Sequence, residues 1–232
     1  DGAQAQTATR GVQGTGAPPA SITISDGTTY DYGNLANGAS LEHTFTLSNG
    51  GGVQATGMSG GGLSAPFFYK GGSYPGTGGT CAASLAAAST CTIVVTYSPT
   101  TNDVHTSTIN IAYNNGLSGQ NATRAVTGTG VPPANLAISD GATYDFGTVA
   151  TGGVAEKIFT ITNNGSYAAS AMSGAGLAAP FTFKGGTYPG TGGNCGATLN
   201  PAGTCTVVVR YAPSSTGTQS GSLDINYYDG AN

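Results

Sequence analysis

The chain has little charge. Asp, Glu, Lys and Arg make up 7% of its 232 residues, against roughly 25% in ordinary globular proteins. The six basic residues are scattered, which excludes the dense cationic footprint that nucleic acid requires. Trp is absent, so any aromatic stacking surface must be built from Tyr or Phe. No apolar run approaches the roughly 20 residues of a bilayer-spanning helix. The two His, His43 and His105, stand apart from each other and from any cysteine. No paired acids, nucleophile–base set or metal-ligand cluster is visible. The expectation is therefore a chain that is not an enzyme, with no cofactor, no metal, no nucleic-acid partner and no membrane-spanning segment.

What is abundant is glycine, at 40 residues, with much Thr, Ser and Ala. That composition alone suggests disorder. Runs such as Cys91-Thr92-Ile93-Val94-Val95-Thr96-Tyr97 argue otherwise, because their β-branched and aromatic content is that of buried strands. The four Cys fall into two pairs of identical spacing, Cys81 with Cys91 and Cys195 with Cys205. An even count in matched pairs reads as two disulfides and an oxidising compartment. Zinc usually takes Cys two to four residues apart with His or further Cys nearby; here nine residues separate each pair. A redox switch would need a basic or His-like flank to lower the thiol pKa, and none is present.

The sequence is internally repeated. Ile24-Ser25-Asp26-Gly27 recurs as Ile138-Ser139-Asp140-Gly141, 114 residues on. The same offset links Cys81 to Cys195, Cys91 to Cys205, Lys70 to Lys184, Tyr97 to Tyr211 and Tyr113 to Tyr227. One folding unit is thus used repeatedly. The offset also carries Thr7-Ala8-Thr9-Arg10-Gly11-Val12-Gln13-Gly14-Thr15-Gly16 onto Asn121-Ala122-Thr123-Arg124-Ala125-Val126-Thr127-Gly128-Thr129-Gly130. Both segments precede a Pro-Pro pair, Pro18-Pro19 and Pro132-Pro133. The expected organisation is residues 1–16 as the last strand of a preceding unit, 17–130 as a first complete unit, and 131–232 as a second unit lacking its own last strand. Asp1-Gly2-Ala3-Gln4 and Asp229-Gly230-Ala231-Asn232 sit at the same phase of the repeat.

Period-two alternation predicts strands at 21–24, 42–48, 92–97, 106–113 and 123–127, each with one buried and one wet face. About seven short strands per hundred residues, punctuated by Gly, Asn and Pro, indicate an all-β fold of tandem immunoglobulin-like β-sandwiches. Asn115-Gly116 and Asp229-Gly230 are hairpin-turn signals. Residues 84–88 suggest one helical turn. The Pro-Pro pairs read as short, semi-rigid linkers.

With these motifs the chain resembles the bacterial choice-of-anchor D repeats, related to the hydin-type immunoglobulin-like domains. The resemblance is carried by Cys81…Leu85…Cys91 and Cys195…Leu199…Cys205 with their following strands. It is carried too by Tyr30-Asp31-Tyr32-Gly33, Tyr144-Asp145-Phe146-Gly147 and the closing Gly-Thr-Gly. It implies a secreted bacterial protein of many tandem modules, at the cell surface or outside it, and supplies no catalytic residues.

Other candidates read more blandly. Gly57-Met58-Ser59-Gly60-Gly61 fits the hydrolase G-x-S-x-G pattern, but no helix follows to build the nucleophile elbow. His43 and His105 read as solvent-facing strand positions. Lys70 and Lys184 suggest surface lysines, with an intramolecular isopeptide bond, assisted by Asp31 or Asp145, as the sharper reading. The loops at Tyr74-Pro75-Gly76 and Tyr188-Pro189-Gly190 suggest sugar stacking, with a surface glycan as partner.

Two functions compete. The first is a structural module of an extracellular stalk, fibre or filament, whose partner is another copy or an adjacent repeat. In it Thr9, Arg10, Gly11, Val12, Gln13 and Gly14 form a donor strand that completes the second unit of the next molecule. A window cut from a continuous array is the plainer version. The second function is an adhesin or glycan-binding module acting through its end loops.

Overall fold

Alternating apolar residues build the first sheet of the first unit. In the computed structural model, which describes residues 2–231, Phe45 and Leu47 are fully buried while the alternating Thr44 and Thr46 are exposed. Asp1 and Asn232, the outer ends of the first and last expected segments, lie outside the described residues. The strands of this unit are β1 (Ile22–Ile24), β2 (Thr29–Ala36), β3 (Leu41–Asn49), β4 (Ala55–Gly61), β5 (Phe67–Tyr69), β6 (Ser84–Leu85), β7 (Thr90–Tyr97), β8 (Val104–Asn114) and β9 (Gly119–Val131). One sheet runs β1-β3-β7-β5, antiparallel throughout. The other runs β2-β9-β8-β4-β6, with β2 parallel to β9 and the remaining pairs antiparallel. Phe45, Ile93 and Tyr97 from the first sheet share one core with Ile109, Ile111 and Val126 from the second. That is a β-sandwich.

The second unit copies the first sheet and not the second. Its strands are β10 (Leu136–Ile138), β11 (Ala155–Asn163), β12 (Ser170–Ala175), β13 (Phe181–Phe183), β14 (Thr204–Tyr211) and β15 (Asp224–Tyr228). The sheet β10-β11-β14-β13 keeps the register of the first unit, with Phe159 opposite Val207 as Phe45 is opposite Ile93. Among the described residues the facing sheet pairs β12 with β15, with one further bridge between Ala169 and Leu199. The chain is thus all-β, a tandem of immunoglobulin-like sandwiches.

Each unit holds one disulfide, Cys81–Cys91 and Cys195–Cys205, with Cα atoms 4.8 Å apart in both. Each also has a buried asparagine that the alternation pattern does not reveal. Asn49, 1% exposed, accepts from the amides of Ser21 and Gly51 and donates to the carbonyls of Val53, Leu85 and Ala86. Asn163 repeats this with Asn135, Gly165, Tyr167 and Leu199. A buried amide so fully bonded pins three chain segments together, and an unbonded one would be costly.

Three expectations need correcting. Residues 84–88 make no helical turn: Ser84 and Leu85 pair with Thr56 and Ala55, which draws the segment into a strand. β7 is buried on both faces, with Val94 at 6% and Thr96 at 5% exposure. The loop that follows Lys70 covers its outer face, and the Val94 amide donates to the Pro75 carbonyl at 2.9 Å. The last strand of the first unit is 13 residues long, far beyond the expected 123–127, because its ends are polar and Gly positions held by backbone pairing, 119–124 with β8 and 130–131 with β2, rather than by apolar alternation.

Candidate functional site

The strand that closes the first unit defines what its counterpart needs. On β9, Ala122, Val126, Gly128 and Gly130 face inward and are buried. Gly128 lies flat against the Tyr97 ring, where a Cβ would fall 2.7 Å from Cε1 and 2.9 Å from Cζ. At Gly130 a Cβ would fall 2.7 Å from Asn37 Oδ1 and 2.8 Å from Pro99 Cβ. Contacts that close admit only glycine. Arg124 reaches over the sheet edge and donates from its guanidinium to the Ile24 carbonyl.

At the same place the second unit has a groove of about 1170 Å³. One wall is residues 141–151, the other is 215–223, and Phe159, Phe181, Val209 and Tyr211 form the floor. Residues 143–150, the counterpart of β2, are not a strand, and neither are 218–223, the counterpart of the first half of β8. Both would pair with a strand between them, and among the described residues none lies there. The core beneath is correspondingly open. Ile109 and Ile111 are fully buried, whereas their counterparts Leu223 and Ile225 are half-buried. Tyr144 is 39% exposed.

The groove nevertheless has the shape of the filled one. The Asp145 carboxylate accepts from the Gly147 amide at 2.8 Å, as Asp31 does from Gly33. Gly147 and Gly33 have φ of 71° and 72°, so the same left-handed kink forms without a pairing strand. Tyr144 meets Phe146 edge-on at 5.1 Å, as Tyr30 meets Tyr32 at 4.9 Å. Phe146 lies 5.6 Å from Tyr211, and Tyr32 lies 5.5 Å from Tyr97. These local contacts are made within the second unit itself, although neither wall is a strand.

Charge at the groove's edge is fixed. Lys157 Nζ stands 2.7 Å from Asp140 Oδ1 and 4.5 Å above the Tyr144 ring. The Lys157 and Ser139 hydrogen bonds hold the Asp140 carboxyl below its usual value. In the first unit His43 takes this place, stacked 3.8 Å from Tyr30 and 3.2 Å from Asp26. The hydroxyl of Ser25, then the His43 ring, holds the Asp26 carboxyl low.

The predicted donor residues Thr9, Arg10, Gly11, Val12, Gln13 and Gly14 carry no secondary structure and are exposed. Val12 is 92% exposed, whereas Val126 at the same phase is 1% exposed. A Cβ on Gly11, Gly14 or Gly16 would meet nothing within 4 Å. The inward-facing set of β9 is repeated without change in this arm, as Ala8, Val12, Gly14 and Gly16, with Arg10 for Arg124.

The remaining candidates are placed elsewhere. Lys70 pairs with Glu42 at 2.8 Å and Lys184 with Glu156 at 2.7 Å, all of them well exposed. Asp31 is engaged by Gly33 instead. An isopeptide bond needs a buried lysine beside an amide or acid, and these ion pairs do not provide it. His43 and His105 are half-buried rather than solvent-facing, and His105 is 2.9 Å from the Tyr97 hydroxyl. Tyr74 and Tyr188 pack edge-on against Tyr69 and Phe183, which leaves their faces only partly available for stacking. The Gly57–Gly61 pattern lies within β4. Among the described residues no three His, Cys, Asp or Glu gather at metal-binding distance, and no helix is long and apolar enough to cross a membrane.

No family model and no curated protein sequence matches the chain. Among solved structures, the VesB protease of Vibrio cholerae aligns at 15% identity and TM-score 0.38, over 48% of this chain and 32% of that one. The chain thus spans about a third of that protease. PapD-like domain 7 of human CEP192 aligns at 14% identity and TM-score 0.38, over 56% of this chain and 99% of that one. The YadV chaperone aligns at 14% and 0.33, over 90% and 95%. At these identities the likenesses say nothing of function.

Proposed function

We propose that the protein is a non-enzymatic structural module of an extracellular stalk, fibre or filament, whose sandwiches are closed one after another by strands of a single type. The N-terminal arm of one copy lies in the groove of the next copy's second unit. It takes the register of β9, with Val12 beside Tyr144 and opposite Gly221, and Gly14 against Tyr211. The observation that carries this reading is the match between arm and slot. Every inward position of the strand that closes the first unit recurs in the exposed arm, and the groove that the arm would fill is already shaped. Insertion would bury Val12 and complete the backbone pairing of 143–150 and 218–223, which is strand addition to an open edge. The contact is head-to-tail, so it builds an open filament unless its geometry closes it into a ring.

A second reading is favoured by the first unit itself, whose closing strand comes from its own chain: a longer continuous polypeptide would supply the same strand in line. The two differ in where the strand originates. Sedimentation velocity of the 232-residue chain, with and without residues 2–16, decides. Strand exchange requires concentration-dependent head-to-tail oligomers that disappear on deletion. Oligomers that persist unchanged, or their absence in the parent chain, reject exchange between copies. The resemblance to choice-of-anchor D repeats, and placement at a bacterial surface, belong to this proposal. The two disulfides fit it, since such bonds persist in oxidising compartments.

A further inference from the structure

The junction between the two units is a template for a second contact. β9 ends at Val131, and Ala134 is already 5% exposed in the second unit's core. Only Pro132 and Pro133 intervene, so the units abut. Tyr167 of the second unit packs against the first unit's core cluster. Ala231 sits at the turn that follows Ala36, where a Cβ on Gly38 would be 3.7 Å from its own.

The same end of the first unit carries Val53 and Leu117 at the phases of Tyr167 and Ala231. Leu117 is 80% exposed. The arm departs from this end: the Pro18 carbonyl accepts from the Gly52 amide at 3.0 Å, and Ala20 is 4% exposed. In the β9 register Gly16 would face Val149 and Ala17 would face Ala150 of the acceptor. No spare residue then separates the inserted strand from the anchored Pro18, and each residue spans at most about 3.6 Å. An inserted arm therefore draws Val53 and Leu117 onto the acceptor's turn at 150–154.

We infer that this end face, centred on Leu117, docks on the 150–154 turn of the second unit of a neighbouring copy, with Val154 as its main apolar partner. The inference rests on the strand-exchange reading and adds a second surface to it. One substitution within the repeat and one exposed side chain support it. Where the internal junction has Ala231 beside Gly38, the surface that would meet between copies has Leu117, and the acceptor's turn carries Val154, which is 47% exposed. The covalent junction needs no affinity of its own, whereas one between copies does. The apolar side chains of Leu117 and Val154 supply it. The contact would also help fix the angle between copies.

The test is Leu117→Asp in the full chain, at a turn exposed enough for the variant to fold, with the parent alongside. Sedimentation velocity reads association, and hydrogen exchange at saturating protein reads the amides of 218–223. The expected result is association weakened about tenfold or more with those amides still protected in the assembled variant. Association within twofold of the parent overturns the docking surface and leaves strand exchange standing. A parent chain that does not associate overturns both.

Discussion

Glycine at position 14 offers a substitution whose effect depends on where the arm goes. In the first unit, a Cβ on Gly128 would lie 2.7 Å from Tyr97 Cε1, and that ring cannot retreat because it is stacked 4.7 Å from Phe67. Overpacking of this kind costs about 1–3 kcal/mol. Gly128→Ala should therefore destabilise the first unit by that amount, less about 0.5–1 kcal/mol recovered from the lower entropy of the unfolded chain. Gly14→Ala should leave the isolated molecule unaffected, since a Cβ there meets nothing within 4 Å. Inserted beside Tyr211, itself stacked 4.7 Å from Phe181, the same methyl meets the same ring. A net penalty of about 1–2 kcal/mol weakens association roughly 5- to 30-fold. Calorimetry of both variants at low concentration, with sedimentation equilibrium of Gly14→Ala, measures the two effects separately. Gly14→Ala chains that associate as tightly as the parent would refute the register, whatever Gly128→Ala does.

Other outcomes follow from the core. Cys195→Ala with Cys205→Ala opens a loop of sequence separation 10 and should lower the second unit's unfolding free energy by about 2–3 kcal/mol, leaving the first unit's calorimetric transition in place. Asn49→Ala removes the bonds to Ser21, Gly51, Val53, Leu85 and Ala86; urea unfolding should register a loss on the order of 3 kcal/mol, since buried donors and acceptors are left unmet. The Asp26 and Asp140 carboxyls are held below their ordinary values in the folded chain. Their contribution is therefore present above the unfolded carboxyl pKa of about 3.9 and is lost as pH falls through the lower folded values. Urea midpoints taken from pH 5 down to pH 2 should fall, and Asp26→Asn with Asp140→Asn should flatten that fall.

The strands that the sequence reveals are those where one face is apolar, such as β3, β8 and β11. β7 and β14 are also legible, though their double burial is not, because the covering loop is Gly-rich and leaves no pattern. β2 and β4 escape notice. Tyr30-Asp31-Tyr32-Gly33 is visible as a motif, but its pairing is parallel, remote in sequence and interrupted by a kink at Gly33. The buried Asn49 and Asn163 are hidden for a different reason: their burial depends on carbonyls supplied from the Cys81 and Cys195 loops. The slot's existence is legible from the repeat's phase. Its walls at 143–150 and the glycine faces of Gly14 and Gly16 are not, since they become meaningful only in space, where the counterparts Gly128 and Gly130 lie against Tyr97 and against Asn37 and Pro99.

The most direct measurement is hydrogen exchange of the assembled chain compared with the chain lacking residues 2–16. The account predicts that backbone amides within 143–150 and 218–223 exchange fast in the truncated protein. In the full chain at high concentration they should be protected together with those of 5–16. Equal exchange at these positions in the two proteins, with the full chain assembled, would contradict it.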